Sequence, residues 1–374
     1  MPNAFQWSRC CKLTFDHTKI SSDIVNLPIC LVWTGSALTS SLPLEMFDAD
    51  GGHPAKADGG DVRVSMNRSG SNEIPIEIVK FNINNDPSLV KGEIHCLVPF
   101  ISSSVDTVIY LWWGNSGASL YSAGATFGKN AVWSDYASVY HLGETAGATC
   151  FDSAAAANNG TFQGTLPRFD PGLAGSGQSF IKNNSDWISV PSISTPNDLL
   201  SVLSVRKFDD ATSPFNPVEY AKTTGTSIRD FVLRVNTTGP RESFLIKINS
   251  HLYFEDSLDI ASVGWGLSAG TWDHSFINSY FWQGSAHDGL QRHDAATSPL
   301  DNDSIASAIG VYPAPASGSY WQGIIDEIRI SATKAFSLDY FKATYFLFSA
   351  PNSIISVSSP FKPYKSQLIP ELMR

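Results

Sequence analysis

With 374 residues the chain exceeds one ordinary domain and divides most economically into two of roughly 100 to 200 residues each. Hydrophobic residues make up 43% and charged residues only 16%, and turn-forming residues separate short apolar runs, the profile of an all-β protein. A net charge of −10 without a lysine-rich tract offers no footprint for a phosphate backbone, which argues against nucleic acid as a partner.

The opening MPNAFQWSRCCKLTF lacks the apolar core of a signal peptide, and no stretch reaches the roughly 18 apolar residues of a membrane span. The expectation is a chain made in the cytoplasm without membrane insertion. Five cysteines (Cys10, Cys11, Cys30, Cys96 and Cys150) are odd in number, and the adjacent Cys10 and Cys11 point to opposite faces of a strand. They read as free thiols, which suits a reducing compartment.

From Cys11 to about Gly114 the runs KLTF, LPICLVW, DVRVSM, IPIEIVKF, EIHCLVPF and DTVIYLWW alternate or are β-rich, and DADGG, ADGGD, NRSGSN and NINNDP separate them. They predict a β-sandwich over residues 1–120. After a glycine-, serine- and alanine-rich connection near residues 118–132, strands resume at Val139. DWISV, LLSVLSV, DFVLRV, SFLIKI, HLYF, SYFWQG, IASAIGVY and IIDEIRIS predict a second sandwich or jelly roll over residues 121–350. SLDYFKATYFLF, from Ser337 to Phe348, suits a short helix or a last strand. In residues 351–374, Pro351, Pro360, Pro363 and Pro370 interrupt regular structure, yet Ile354, Ile355, Val357, Phe361 and Leu368 need cover. An extended arm is expected, lying on another subunit or packed back on its own domain.

The run YWQGIIDEIRIS places an Asp-Glu pair inside a strand. Strict alternation puts Asp326, Ile328 and Ile330 on one face, and Ile325, Glu327 and Arg329 on the other, where Glu327 and Arg329 would form a weak surface pair. Adjacent carboxylates that diverge make a poor catalytic dyad. The stretch SAHDGLQRHDAATSPLDND holds His287, Asp288, His293, Asp294, Asp301 and Asp303, but its composition is that of a polar loop and it lacks a transition-metal ligand spacing. His141 falls in a predicted strand and reads as a core or interface residue. No phosphate loop, HExxH or CxxC occurs, so no catalytic residue is assigned. Ten tryptophans and twelve tyrosines are more than the core needs. Trp265, Trp272 and Trp282, close to glycines, are candidates for stacking on sugar rings, against ordinary packing.

FQWSRCCKLTF, LPICLV, GGDVRV, IPIEIVKF, LVPFISSS and DTVIYLWWGN, in this order within residues 5–115, resemble a bacterial and viral domain of unknown function found at the N-terminus of lectin-like proteins. VWSDYASVYHLGE, DSAAAANNGTF, GQSFI, DWISV and YWQGIIDEIRIS, within residues 132–346, resemble the laminin-G-like, concanavalin A-type jelly roll that commonly follows it. Between Pro191 and Ser319 the match is much looser. The resemblance implies a calcium site with Asp326 as a side-chain ligand and Asp152 as a contributor, calcium being served by hard oxygen donors. Glycoside hydrolases need two carboxylates about 5 to 9 Å apart, which related jelly rolls carry as Glu-x-Asp-x-x-Glu, and that run is absent.

Surface-recognition modules without a secretion signal lead to the expectation of a bacteriophage virion structural protein: a head fibre, capsid decoration or tail adhesin. Its partners would be host-surface glycan, other virion proteins, or a second copy joined through the C-terminal arm as a homo-oligomer. The alternatives are a non-viral bacterial carbohydrate-binding surface protein and, further off, a hydrolase.

Overall fold

The computed structural model describes residues 6–363 apart from 34–39, 87–91, 174, 196–198, 210–216, 225–226, 237–240, 249–250, 260–263, 284–285, 294–304 and 313–318. The fold is all-β, as expected, and the chain forms two compact units: Met1–Val132 with Phe346–Arg374, and Trp133–Tyr345. Among the described residues no helix is long and apolar enough to cross a membrane.

The first unit holds a five-stranded antiparallel sheet in the order Ile355–Val357, Arg9–Phe15, Thr107–Trp113, Arg63–Ser65, Glu73–Ile74. A three-stranded sheet in the order Ile24–Trp33, Gly92–Ile101, Ile76–Lys80 accompanies it. Period-two patterning decides the faces: Cys11, Leu13 and Phe15 are buried while Lys12 is exposed. All five cysteines are free and buried, and burial pushes the Cys10 thiol up to about 12.

The described part of the C-terminal arm packs within its own chain, on the N-terminal sheet of the first unit. Leu13, Thr14 and Phe15 pair with Val357, Ser356 and Ile355, and Cys10 and Phe361 exchange backbone hydrogen bonds of 3.0 and 2.8 Å. The strand Arg9–Phe15 would otherwise be an open edge, which an apolar segment ending in Phe361 closes. Residues 364–374 of the expected arm lie outside the described residues.

The second unit is a jelly-roll-like sandwich. One sheet runs His251–Asp259, Arg241–Ile248, Ser227–Asn236, Val218–Thr224, Ser307–Ile309, Trp187–Val190, Gly160–Gln163, Thr149–Cys150. The other runs Phe169–Pro171, Ser176–Phe180, Gly323–Ser331, Leu200–Phe208, Gly264–Trp272, Phe276–Gln283, Ala286–His293, with Ser138–Tyr140 also on Gly323–Ser331. Tyr220, Phe231, Phe244 and Ile246 of the first meet Val202, Phe208, Trp272 and Ile328 of the second in one apolar core. The sheets approach closely at Gly270, where a Cβ would come within 2.1 Å of the Phe244 ring.

The ambiguous run Ser337–Phe348 is a helix over Leu338–Ser349. Its apolar residues recur at helical spacing, and Ser337 Oγ caps the first turn by accepting from Tyr340 N at 3.3 Å. Phe341 of this helix packs on Tyr280 and Trp282, on the face of the second sheet turned away from the core.

Candidate functional site

The strand Gly323–Ser331 explains its own Asp-Glu pair. On one side Leu200–Phe208 pairs along its length; on the other, Ser176–Phe180 pairs with Gly323, Ile324 and Ile325, and Ser138–Tyr140 with Ile328, Arg329 and Ile330. Asp326 and Glu327 fall between the two partial partners. Against Leu200–Phe208 the register slips, Val205 opposing Glu327 and Arg206 opposing Ile325, so Asp326 is the extra residue of a β-bulge. The bulge resets the alternation. Ile325, Ile328 and Ile330 therefore all enter the core, which corrects the expectation from strict alternation that set Ile325 opposite the other two.

The expected surface pair of Glu327 and Arg329 is likewise corrected, because both side chains are 0% exposed. Arg329 Nε donates to Glu327 Oε1 at 2.6 Å, and Glu327 Oε2 accepts from His141 Nδ1 at 2.9 Å. The guanidinium lies 4.7 Å from the Trp133 ring centre, and Tyr136 and Tyr340 share an O–H···O bond of 2.5 Å beside it. Burial by itself raises the Glu327 carboxyl, but the charges of His141 and Arg329 with their hydrogen bonds prevail and hold it below its ordinary value. Burial works to lower the Arg329 pKa, and Glu327 more than reverses it, so this guanidinium stays charged. His141, expected in a strand as a core or interface residue, lies one residue beyond the strand Ser138–Tyr140 and is 7% exposed.

A second ionic group sits inside the sandwich. Arg206 Nη2 donates to Glu242 Oε2 at 3.0 Å, Nε donates to Ser268 Oγ at 3.0 Å, and Glu219 Oε1 lies 3.5 Å from Nε. Ser268 Oγ is 2.9 Å from Glu242 Oε2 and 3.2 Å from Glu219 Oε1, and the Phe281 ring lies 4.6 Å from the guanidinium. Two carboxylates thus share one cation with no exposure to solvent. Burial, then the Glu219 charge, pushes the Glu242 carboxyl well above its usual range, and a hydrogen bond between the two carboxyls keeps the proton in place. Both glutamates address the same guanidinium instead of flanking an open space, so the arrangement neutralises charge and does not present a reactive pair.

What faces solvent is the edge of the second unit. The strands Thr149–Cys150 and Phe169–Pro171 each end a sheet. Gln178, opposite Phe169, donates through Nε2 to the carbonyls of Leu142 at 3.1 Å and Glu144 at 2.7 Å, while its Oε1 accepts from Arg168 N at 2.7 Å. Glu144 Oε1 in turn accepts from Phe151 N at 2.7 Å. This polar bridge ties the segment 142–151 to both edges, and it leaves Phe151 59% and Phe169 38% exposed. Phenylalanine has no polar tip to satisfy, so each ring presents apolar area to solvent from a hydrogen-bonded frame. Burial raises the Glu144 carboxyl against the opposing pull of the Phe151 N–H.

The residues expected to bind are not gathered at this edge. Trp272 and Trp282 are 0% and 1% exposed, the first in the core and the second beneath Phe341, so neither offers a ring face to a sugar. Trp265 is half-buried. Asp152 directs Oδ1 at Val139 N (2.8 Å) and Ala154 N (2.9 Å) and Oδ2 at Asn158 N (2.9 Å), which fixes a turn. Asp326 is 1% exposed and lies against Gly172, where a Cβ would come within 2.6 Å of Oδ2. Neither aspartate belongs to a group of three or more metal-capable side chains among the described residues. His287, Asp288 and His293 lie on the strand Ala286–His293, and Asp294, Asp301 and Asp303 lie outside the described residues.

No family model and no curated protein matches the chain. Solved structures similar to it include domain 4 of AbnA, a GH43 extracellular arabinanase from Geobacillus stearothermophilus, in complex with arabinotriose (14% identity, TM-score 0.42, covering 56% of this chain and 98% of that one). Another is the receptor-binding domain of botulinum neurotoxin mosaic serotype C/D (12%, TM-score 0.42, covering 56% and 50%). A third is the enzymatically active domain of bacteriophage CBA120 tailspike protein 2 (12%, TM-score 0.38, covering 51% and 31%). The chain spans half or less of the last two, and the likeness to all three is distant.

Proposed function

We propose that the chain is a bacteriophage virion structural protein, a head fibre, capsid decoration or tail adhesin, whose jelly-roll unit recognises host-surface glycan or a neighbouring virion subunit. The observation that carries the recognition reading is the pair of exposed rings, Phe151 and Phe169, on edges bridged by Glu144 and Gln178. A binding role is favoured over turnover because the buried glutamates beside Arg206 and Arg329 are enclosed with those guanidinium groups and flank no open space. The virion assignment draws on the resemblance of residues 5–115 and 132–346, and reduced, buried thiols suit assembly in a reducing compartment.

The double variant Phe151→Ala/Phe169→Ala tests the contact surface. Losing two aromatic contacts of more than about 1 kcal/mol each weakens binding by roughly tenfold or more, read by adsorption of fluorescent protein to host cells. The melting temperature stays unchanged, because neither ring is buried. Adsorption at wild-type strength would remove this edge from the proposal.

A further inference from the structure

A cleft of about 260 Å³ opens in the first unit between the strand Ile76–Lys80 and the connection that follows Trp113. That connection is rich in glycine, serine and alanine, the composition of a loose linker, yet it is anchored at successive points. Lys56 Nζ donates to Ala118 O at 2.7 Å, Arg63 Nη2 to Ser119 O at 2.7 Å, Tyr121 Oη to Glu73 Oε1 at 2.7 Å, and Ile76 N to Phe127 O at 3.1 Å. The wall of the cleft is therefore built in advance, which removes the ordering cost a ligand would otherwise meet.

Its lining divides by chemistry. Val62, Ile76 and Ile78 give an apolar floor, and Leu120, 49% exposed, extends it to the mouth. Arg63 is occupied: Nη1 donates to the carbonyls of Gly60 and Val62 at 3.0 and 2.6 Å, Nε lies 3.5 Å from Glu73, and the guanidinium covers Tyr121 at 4.1 Å. Lys129 is half-buried on the rim and has no ion-pair partner among the described residues. Glu77 also lines the cleft, but it alternates with Ile76 and Ile78 along the strand and pairs across the ladder with His95, so its carboxylate belongs to the other face. An apolar floor meets the C–H face of a sugar ring, and an unneutralised ammonium calls for an anion.

We propose that this cleft binds one uronic-acid residue, with the sugar carboxylate at Lys129 and the C–H face of the ring on Val62, Ile76 and Ile78. The volume, below the 300–1,000 Å³ usual for drug-sized ligands, suits a single ring. The site is separate from the Phe151 and Phe169 edge and stands or falls without it.

Saturation-transfer NMR on the full chain, with D-glucuronate and D-glucose as probes, tests this directly. Glucuronate gives a saturable signal in the millimolar range and glucose binds roughly tenfold more weakly, the scale of one charge-assisted hydrogen bond. Lys129→Gln, at a half-exposed position, keeps the melting temperature and abolishes the preference, whereas Phe151→Ala/Phe169→Ala leaves it intact. The proposal is overturned by an absent glucuronate signal, by equal binding of the two sugars, or by a preference that survives Lys129→Gln.

Discussion

Replacing Arg206 with methionine is expected to destabilise the second unit by about 3–5 kcal/mol, the cost of removing one partner from a buried ionic group. The variant strands the Glu219–Glu242 pair inside the sandwich with no guanidinium to offset the negative charge it carries, and Ser268 alone cannot replace it. Against a typical total of about 5–15 kcal/mol, a loss of this size shows as a large fall in the urea midpoint. The triple variant Arg206→Met/Glu219→Leu/Glu242→Leu removes every charge of the group and is expected to recover most of the loss. Recovery in the triple variant, and not in the single one, separates the electrostatic cause from simple overpacking.

The same group gives the unit a pH dependence of known sign. Glu242 holds its proton more tightly in the fold than in the unfolded chain, so this contribution is present near and below the ordinary carboxylate value of 4.5 and is lost as pH rises through the folded value. Glu242→Gln is neutral at every pH and should flatten the decline in stability on the alkaline side. An identical slope in wild type and Glu242→Gln would show that the proton is not held there.

Arg329→Met carries the second large effect. It leaves Glu327 fully enclosed with His141 as its remaining charged neighbour, and a loss of about 3–5 kcal/mol is expected. Because the guanidinium covers Trp133, the tryptophan emission of the folded variant should shift with the loss, which a general weakening of the fold would not produce. Glu327 works in the opposite pH direction to Glu242. Its carboxyl is held below 4.5 in the fold, so its stabilisation is present above that value and disappears as pH falls through the folded one.

Strand patterning was legible wherever one face met a core, and YWQGIIDEIRIS is the strand Gly323–Ser331 its apolar spacing announced. The faces within it were not legible, because the bulge at Asp326 comes from two partial neighbours, Ser176–Phe180 and Ser138–Tyr140, that are far away in the chain. Tryptophans beside glycines were a weak guide: the glycines mark close strand contacts, and Trp272 and Trp282 fill the space between layers. Arg206 and Glu242 stand 36 residues apart on strands of different sheets, so no local pattern joins them. Phe151 and Phe169 escaped notice because an exposed phenylalanine and a buried one look alike in a sequence. The available signal was position, next to the Asp152 turn and at a short strand that ends a sheet.

Recognition without turnover, through the edge of the second unit, is open to a direct test. Affinity electrophoresis through gels containing host surface polysaccharide, with reducing ends measured in the same gels, tests it most directly. The wild-type chain is expected to be retarded, Phe151→Ala/Phe169→Ala to migrate freely while melting normally, and no reducing ends to accumulate. Release of reducing ends, or equal retardation of wild type and the double variant, would contradict it.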